Sequence, residues 1–260
     1  MCATCGCGVA GVRVFGPGEL GPGEPGPAGH DHGTDHDHDH EHGLDGRTVQ
    51  IQQNILAKNN RLAEDNRAWL TARGILAVNL MSSPGAGKTT LLERTAREAG
   101  AALGLSVIEG DQETTLDASR IEAAGCAVTQ INTGAGCHLD ASMVARGLSA
   151  LNPRPGSVLV IENVGNLVCP ALFDLGEAAR VVLSSVTEGA DKPIKYPQMF
   201  RSADLVLLTK VDLLPYVDFD TGRHARDLRL ISPGARIMPV SATTGDGLPA
   251  WYAWLSERAR

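Results

Sequence analysis

Residues 75–92 read ILAVNLMSSPGAGKTTLL, and this stretch decides the fold. Ile75 to Met81 is an apolar run of strand length. A Gly/Ser/Pro loop follows, and a helical pattern begins at Lys88. That order is the layout of a phosphate-binding loop, in which backbone N–H groups at a helix N-terminus wrap the phosphates of a nucleotide. Ser83, Gly85, Ala86, Gly87, Lys88, Thr89 and Thr90 are its expected nucleotide-binding residues. Lys88 is expected on the β- and γ-phosphates, and the Thr89 hydroxyl on Mg²⁺. The usual pattern is G-x-x-x-x-G-K-[ST]. Here Ser82 stands at the first glycine, while Gly87, Lys88 and Thr89 are in place.

Downstream of this loop, short apolar runs alternate with helical patterns. Strands are expected near 75–81, 106–109, 127–131, 157–161, 180–186, 205–208 and 236–240, and Trp251 to Arg258 closes the chain as a helix. Such alternation means a mostly parallel sheet covered on both faces. The fold expected is therefore α/β: a three-layer α/β/α P-loop NTPase with about seven strands. Residues that do chemistry then fall at the C-terminal ends of strands.

At 260 residues and 43% hydrophobic content the chain can bury one sizeable core together with appendages. No apolar run approaches the roughly 20 residues of a membrane span. The start, MCATCGCGVAG, has neither the basic region nor the long apolar stretch of a secretory signal. A soluble cytoplasmic protein is expected, with no membrane partner. Its six cysteines then read as metal ligands rather than disulfides. A formal charge of −7 argues against non-specific nucleic-acid binding. Nucleotide binding needs no basic surface, because loop amides and one lysine suffice.

Ahead of the phosphate loop the chain divides into residues 1–46, a disordered Cys/His-rich tail with a Gly/Pro linker, and residues 47–73, a helix; 74–260 form the nucleotide-binding domain. The tail lacks apolar periodicity. Cys2, Cys5 and Cys7 make a C-x-x-C-x-C start whose thiolates can close on one soft or borderline metal. With Met1 removed, the α-amine of Cys2 adds a fourth donor, and planar mixed N/S ligation suits Ni²⁺. Between His30 and His42 stand six imidazoles, at His30, His32, His36, His38, His40 and His42, interspersed with acids. A solvated low-complexity tract is the plain reading. Divalent-metal buffering is the one that uses the imidazoles. In the helix, Ile55, Leu62 and Trp69 recur at seven-residue steps beside Leu56 and Leu70. That stripe either packs on its own domain or docks a partner.

The strand ends carry the remaining motifs. Ser157 to Ile161 runs into Glu162-Asn163-Val164-Gly165, where the Glu162 carboxylate can hold Mg²⁺ and the Gly165 N–H can meet a γ-phosphate. Asp111, just past the 106–109 strand, is a second candidate for the Mg²⁺ shell. Thr209-Lys210-Val211-Asp212 fits the guanine-reading [NT]-K-x-D, with Asp212 accepting from guanine N–H groups and the Lys210 stem over the ring. Ser241 and Ala242 are expected near guanine O6. Two further features exceed what a nucleotide site needs. Cys137-His138 opens a helix, and Cys169 lies four residues past Gly165. A metal read by the nucleotide switch is the sharper interpretation of these three; small buried side chains are the blander one.

Taken together these motifs closely resemble the HypB family, the hydrogenase nickel-incorporation GTPases of the SIMIBI class. The resemblance rests on Cys2/Cys5/Cys7, the His tract, SSPGAGKTTLL, GDQET at 110–114, NTGAGCHLDA at 132–141, IENVGNLVCP at 161–170, EGADKPIKYPQMF at 188–200, ADLVLLTKVDLLPYVDFD at 203–220 and SATTGDG at 241–247. Two positions depart from the pattern: Ser82 for the first loop glycine and Thr209 for asparagine. The resemblance implies GTP hydrolysis with Mg²⁺, catalytic roles for Lys88, Thr89, Asp111, Glu162 and Gly165, and nickel delivery to the [NiFe]-hydrogenase large-subunit precursor. It also implies a HypA-like nickel chaperone that contacts the N-terminal helix, and a GTP-dependent homodimer. Cys137, His138 and Cys169 would ligate Ni²⁺ or Zn²⁺ at the dimer interface, and the N-terminal cysteines would form a tight nickel site. Urease-type nickel GTPases lack the C-x-x-C-x-C start and the C-H-L-D with N-L-V-C-P combination. A nickel store with a vestigial nucleotide site would not hydrolyse GTP.

Overall fold

The structure is a computed structural model that describes residues 13–17, 46–112, 116–134 and 136–260. Cys2, Cys5, Cys7, His30, His32, His36, His38, His40 and His42 lie outside the described residues. Eight strands form one sheet in the order β1-β4-β3-β5-β2-β6-β7-β8. They are β1 (Arg13–Phe15), β2 (Leu76–Ser82), β3 (Ser106–Asp111), β4 (Ala127–Asn132), β5 (Val158–Glu162), β6 (Ala179–Ser185), β7 (Leu205–Thr209) and β8 (Arg236–Val240). Every neighbouring pair is parallel except β1 with β4, where Arg13 opposes Asn132 and Phe15 opposes Gln130. The seven parallel strands match the expected runs to within two residues.

The eighth strand corrects the reading of residues 1–46 as lacking folded segments. Three residues flanked by Gly and Pro give no period-2 signal. Its pairing follows from the free edge of β4 and from Val14, which packs against the core under that edge.

Because helices cover both faces, the strands are apolar on both sides and read as runs rather than alternations. In β2, Leu76, Val78 and Leu80 face the layer of α2 (Lys88–Leu103) and α8 (Leu248–Arg258), where they meet Leu91, Leu92, Trp251 and Leu255. Ala77 faces the opposite layer, with Leu70 of α1 (Gly46–Ala72) and Met143, Val144 and Leu148 of α4 (Ala141–Leu151). Helix α3 (Leu116–Ala123) completes the first layer. The short helices α5 (Lys192–Lys195) and α6 (Pro197–Arg201), with α7 (Thr221–Ile231), build a third cluster around Met199, Phe200 and Leu228. No helix among the described residues is long and apolar enough to cross a membrane.

Helix α1 packs on its own domain, through only part of the stripe read from its sequence: Leu56, Trp69 and Leu70 meet the core while Ile55 does not. Ile55 is 39% exposed, and the buried face is Asn59, Ala63, Asn66 and Leu70, with Leu56 and Trp69 partly covered. The two asparagines are there because the face meets loop backbone rather than side chains. Asn59 Nδ2 donates to Asp174 O at 2.8 Å, while its Oδ1 accepts from Ala141 N at 2.9 Å. Asn66 Nδ2 donates to Ala141 O at 2.9 Å and Leu175 O at 3.0 Å. Buried peptide groups that lack a ladder partner need one from a side chain, and these carboxamides supply it. An ion pair from Arg67 to Asp174 at 2.6 Å lies alongside.

Candidate functional site

The site lies along the C-terminal ends of β2, β3, β5, β7 and β8. The loop after β2 turns into α2 at Gly87, whose φ of 99° is left-handed and unfavourable for any residue with a Cβ. Ser82, the departure at the first glycine, is the last residue of β2 and needs no positive φ. Its hydroxyl donates to Ser83 O at 2.6 Å and accepts from Lys88 Nζ at 2.9 Å. The substitution therefore gives the buried ammonium a partner. Burial lowers the Lys88 pKa from its usual value, and the Glu162 carboxylate opposes that shift.

Glu162 ends β5, and its Oε1 accepts from Thr89 Oγ1 at 2.8 Å. The other oxygen, Oε2, is buried without a hydrogen-bond partner. Burial pushes the Glu162 carboxyl up to about 7, against the pull of Lys88. A hydroxyl and a half-satisfied carboxylate meeting at one point are the donor set a hard cation such as Mg²⁺ takes. Asp111 ends β3, half-buried, and its Oδ1 accepts from Gln112 N at 2.7 Å. The sequence reading passed over Glu109. It opposes Glu162 across β3 and β5, is 3% exposed, and titrates well above the usual range, through burial and the neighbouring Glu162. A carboxylate closing the apolar run Val107-Ile108 was the available signal. Gly165 lies against the phosphate loop, since a Cβ there would stand 3.0 Å from Pro84 Cα.

At β7 and β8 a cavity of about 240 Å³ is lined by Ala86, Gly87, Thr90, Thr209, Lys210, Asp212, Ala242 and others. Ser241 Oγ donates to Asp212 Oδ1 at 2.6 Å, fixing the carboxylate that would read guanine. Lys210 Nζ donates to Gly85 O at 2.8 Å, so its stem crosses the cavity toward the phosphate loop. Thr209, the second departure, uses its hydroxyl to donate to Ala86 O at 2.8 Å. That bond ties the β7 end to the phosphate loop.

The third group sits beside the nucleotide face. Ligand atoms of Cys137, His138 and Cys169 lie within 4.8 Å of one another. Cys137 and His138 follow β4 in the loop to α4, and Cys169 opens a 3₁₀ turn, Cys169–Leu172. Cys137 Sγ is 3.7 Å from His138 Nδ1. His138 is buried and stacks on Phe173 with ring centroids 4.0 Å apart; burial lowers its pKa, which favours the neutral imidazole that binds metal. Asn166 bridges the two loops, donating from Nδ2 to Cys137 O at 3.4 Å and accepting from Val168 N at 2.8 Å. The remaining described cysteine, Cys126, is buried away from this group and its thiol is pushed up to about 12.

Comparison with known proteins agrees with this geometry. The CobW/HypB/UreG nucleotide-binding domain matches residues 76–239. A hydrogenase maturation factor HypB of Rhizobium leguminosarum bv. viciae is 54% identical over 213 residues, covering 82% of this chain and 71% of that protein. The chain belongs to the HypB family. HypB of Archaeoglobus fulgidus superposes with a TM-score of 0.74 at 42% identity, over 79% of this chain and 100% of that one. HypB of Helicobacter pylori, solved in complex with nickel, gives a TM-score of 0.74 at 38% identity over 78% and 95%. As a HypB-family chain it carries a nucleotide-binding domain of the P-loop GTPase kind, and its Cys137, His138 and Cys169 are gathered at one point.

Proposed function

We propose that this chain is a GTP-hydrolysing nickel metallochaperone that delivers nickel during maturation of [NiFe]-hydrogenase. One observation carries the reading. The loop that leaves β5 passes from Glu162 through Gly165 to Cys169, so only three residues separate the expected γ-phosphate contact from a ligand of the thiol–imidazole cluster. A nucleotide site and a metal site that share a loop make metal affinity depend on phosphate occupancy. The nickel complex of the H. pylori relative supports nickel as the cargo.

In this reading Ser83 to Thr90 wrap the phosphates, Lys88 neutralises β/γ charge, and Asp212 with Ser241, Ala242 and Lys210 selects guanine. Thr89 and Glu162, with Asp111, would hold Mg²⁺, which when bound neutralises the charge that builds on the transferred phosphoryl group. The chain's own groups set a slow rate. The water-positioning glutamine that many GTPases carry just after the switch glycine is here Asn166, and both ends of its carboxamide are engaged, with Cys137 O and Val168 N. Cys2, Cys5, Cys7 and the six histidines of 30–42 serve as a second nickel store in the 1–46 tail. A HypA-like chaperone meets the 47–73 helix, a second copy joins when GTP is bound, and the hydrogenase large-subunit precursor in the cytoplasm receives the metal.

The testing experiment is nickel release from the purified full chain to a chromophoric chelator, with GTP and then GDP present, alongside phosphate release. Nickel leaving at different rates in the two states is expected. Equal rates, or no measurable GTP turnover, would reduce the protein to a static store.

A further inference from the structure

The buried side chain that joins the nucleotide strand to the metal loop belongs to neither site. Asn163 stands between Glu162 and Val164 and is 1% exposed. Its Oδ1 accepts two backbone amides at once: Val164 N at 3.0 Å, next to Gly165, and Leu139 N at 3.1 Å, next to His138. Its Nδ2 donates to Asn79 Oδ1 at 3.3 Å, and Asn79 Nδ2 donates in turn to Glu177 Oε1 at 3.2 Å. Glu177 is anchored by Arg180 Nε at 2.6 Å and Leu175 N at 2.7 Å. The carboxamide is thus fixed from behind by a buried chain of partners. A fully satisfied network of this sort holds one geometry and resists small displacements.

We propose that Asn163 is a positioning residue that couples the two sites, because one carboxamide oxygen holds the amide beside Gly165 and the amide beside His138. The inference rests on the proposed nickel-and-GTP reading and adds the element that carries its regulation. When the γ-phosphate comes or goes, Gly165, packed on Pro84, shifts with its loop. Val164 moves with it, and the shared oxygen passes that movement to Leu139 and hence to the imidazole. Asn166 ties Cys137 to the Cys169 side of the cluster independently. Removing Asn163 therefore cuts the link through the Leu139 amide, while the Asn166 bond to Cys137 O and the chain from Gly165 to Cys169 remain.

Coupling between two ligands is reciprocal, so it can be read on the nucleotide. In the full chain, affinities for GDP and for a non-hydrolysable GTP analogue are measured with and without saturating Ni²⁺. The coupling factor is the change nickel makes in their ratio. Cys169→Ala supplies the background from nickel held elsewhere on the chain. A factor on the order of fivefold or more is expected for the unsubstituted chain, and about 1 for Cys169→Ala. Asn163→Ala should lower the factor at least about twofold, the remainder passing through Asn166 and the Gly165–Cys169 loop, while the nickel–thiolate absorption lost in Cys169→Ala persists. A role in stability alone would weaken nickel binding equally in both nucleotide states and leave the factor unchanged. Asn163→Asp keeps the accepting oxygen and should retain most of the coupling. A chain that shows a factor of 1 before substitution overturns the nucleotide-sensing reading together with this inference. A factor that Asn163→Ala leaves unchanged overturns the inference alone. Amide exchange on the unsubstituted chain gives an arm that needs no variant: the Leu139 amide should exchange at different rates with GTP analogue and GDP, and equal rates overturn the inference.

Discussion

Replacing Asn59 by alanine tests the docking of α1 at one atom pair. Asn59 is 5% exposed, and its carboxamide satisfies Ala141 N, which is fully buried, and Asp174 O, which lies nearer solvent. An amide left buried without an acceptor costs about 1–3 kcal/mol, and a carbonyl that water can reach loses only the net value of its bond, about 0.5–1.5 kcal/mol. Asn59→Ala should therefore destabilise the folded chain by roughly 2–4 kcal/mol. At about 2–4 °C per kcal/mol for a domain of this size, the melting temperature should fall by roughly 4–16 °C. The neighbouring Asn60 is exposed and gives a matched control, for which a change within about 0.5 kcal/mol is expected. Urea unfolding of both variants at constant m-value is the assay. An Asn59→Ala loss under 1 kcal/mol, or equal losses in the two variants, would refute the claim that this carboxamide holds Ala141. Asn59→Asp keeps the acceptor for Ala141 N but loses the donor to Asp174, and should fall between them.

Four further outcomes are expected. Intrinsic GTP turnover should lie within the roughly 10⁻⁴ to 10⁻² s⁻¹ of unassisted GTPases, and Lys88→Ala should lower it at least about tenfold by removing the phosphate contact; full turnover in that variant would remove the phosphate-loop assignment. Deleting residues 30–42 should reduce the nickel ions bound per chain by equilibrium dialysis and leave GTP turnover unchanged, whereas equal stoichiometry would make the tract a spacer. Thr209→Val removes the donor to Ala86 O and should weaken fluorescent GDP binding severalfold, approaching tenfold where the full value of one bond, about 1.4 kcal/mol, is lost; Thr209→Asn should bind as the parent does. The fourth concerns pH. Glu162 is pushed up from 4.5 to about 7 by burial, so between those values the folded chain keeps a proton the unfolded chain has released. The Glu162 contribution to stability of the nucleotide-free chain in EDTA should then fall as pH rises from about 4.5 to about 7, and level off above. It is read as the difference between the parent and Glu162→Gln in urea titrations at pH 5, 6, 7 and 8, which leaves the contributions of Glu109, His138 and His224 in both; a difference constant across these pH values would refute it.

The parallel sheet was readable because each strand is a short apolar run with punctuation at both ends, and both faces are covered. The residues at the strand ends were readable for a related reason: Lys88, Glu162, Asp212, Cys137 and Cys169 are types that a buried strand end seldom carries without a use. What escaped the sequence depended on partners far along the chain. Asn59 and Asn66 looked like polar interruptions of an apolar stripe, since nothing local reveals that their face meets the backbone of Ala141, Asp174 and Leu175. Thr209 and Ser82 looked like lapses in a pattern until their hydroxyls were placed on Ala86 O and Lys88 Nζ. Asn163 sat unnoticed inside a quoted motif, because its importance comes from an amide 24 positions earlier.

The direction of β1 has a consequence for the proposed passage of metal. Because β1 runs antiparallel to β4, Arg13 sits opposite Asn132, at the end of β4 that leads into the Cys137-His138 loop. The covalent chain ahead of Arg13 is therefore attached at the nucleotide-facing rim rather than at the opposite rim. Six peptide units separate Cys7 from Arg13, and a chain that long spans at most about 21 Å. With Cys7 a nickel ligand as proposed, a leash this short would give the two sites an effective concentration on the order of millimolar, set by tether length rather than by how much protein the cell makes. Exchange of an ion between them would be first-order in the protein, and dilution would leave its rate unchanged.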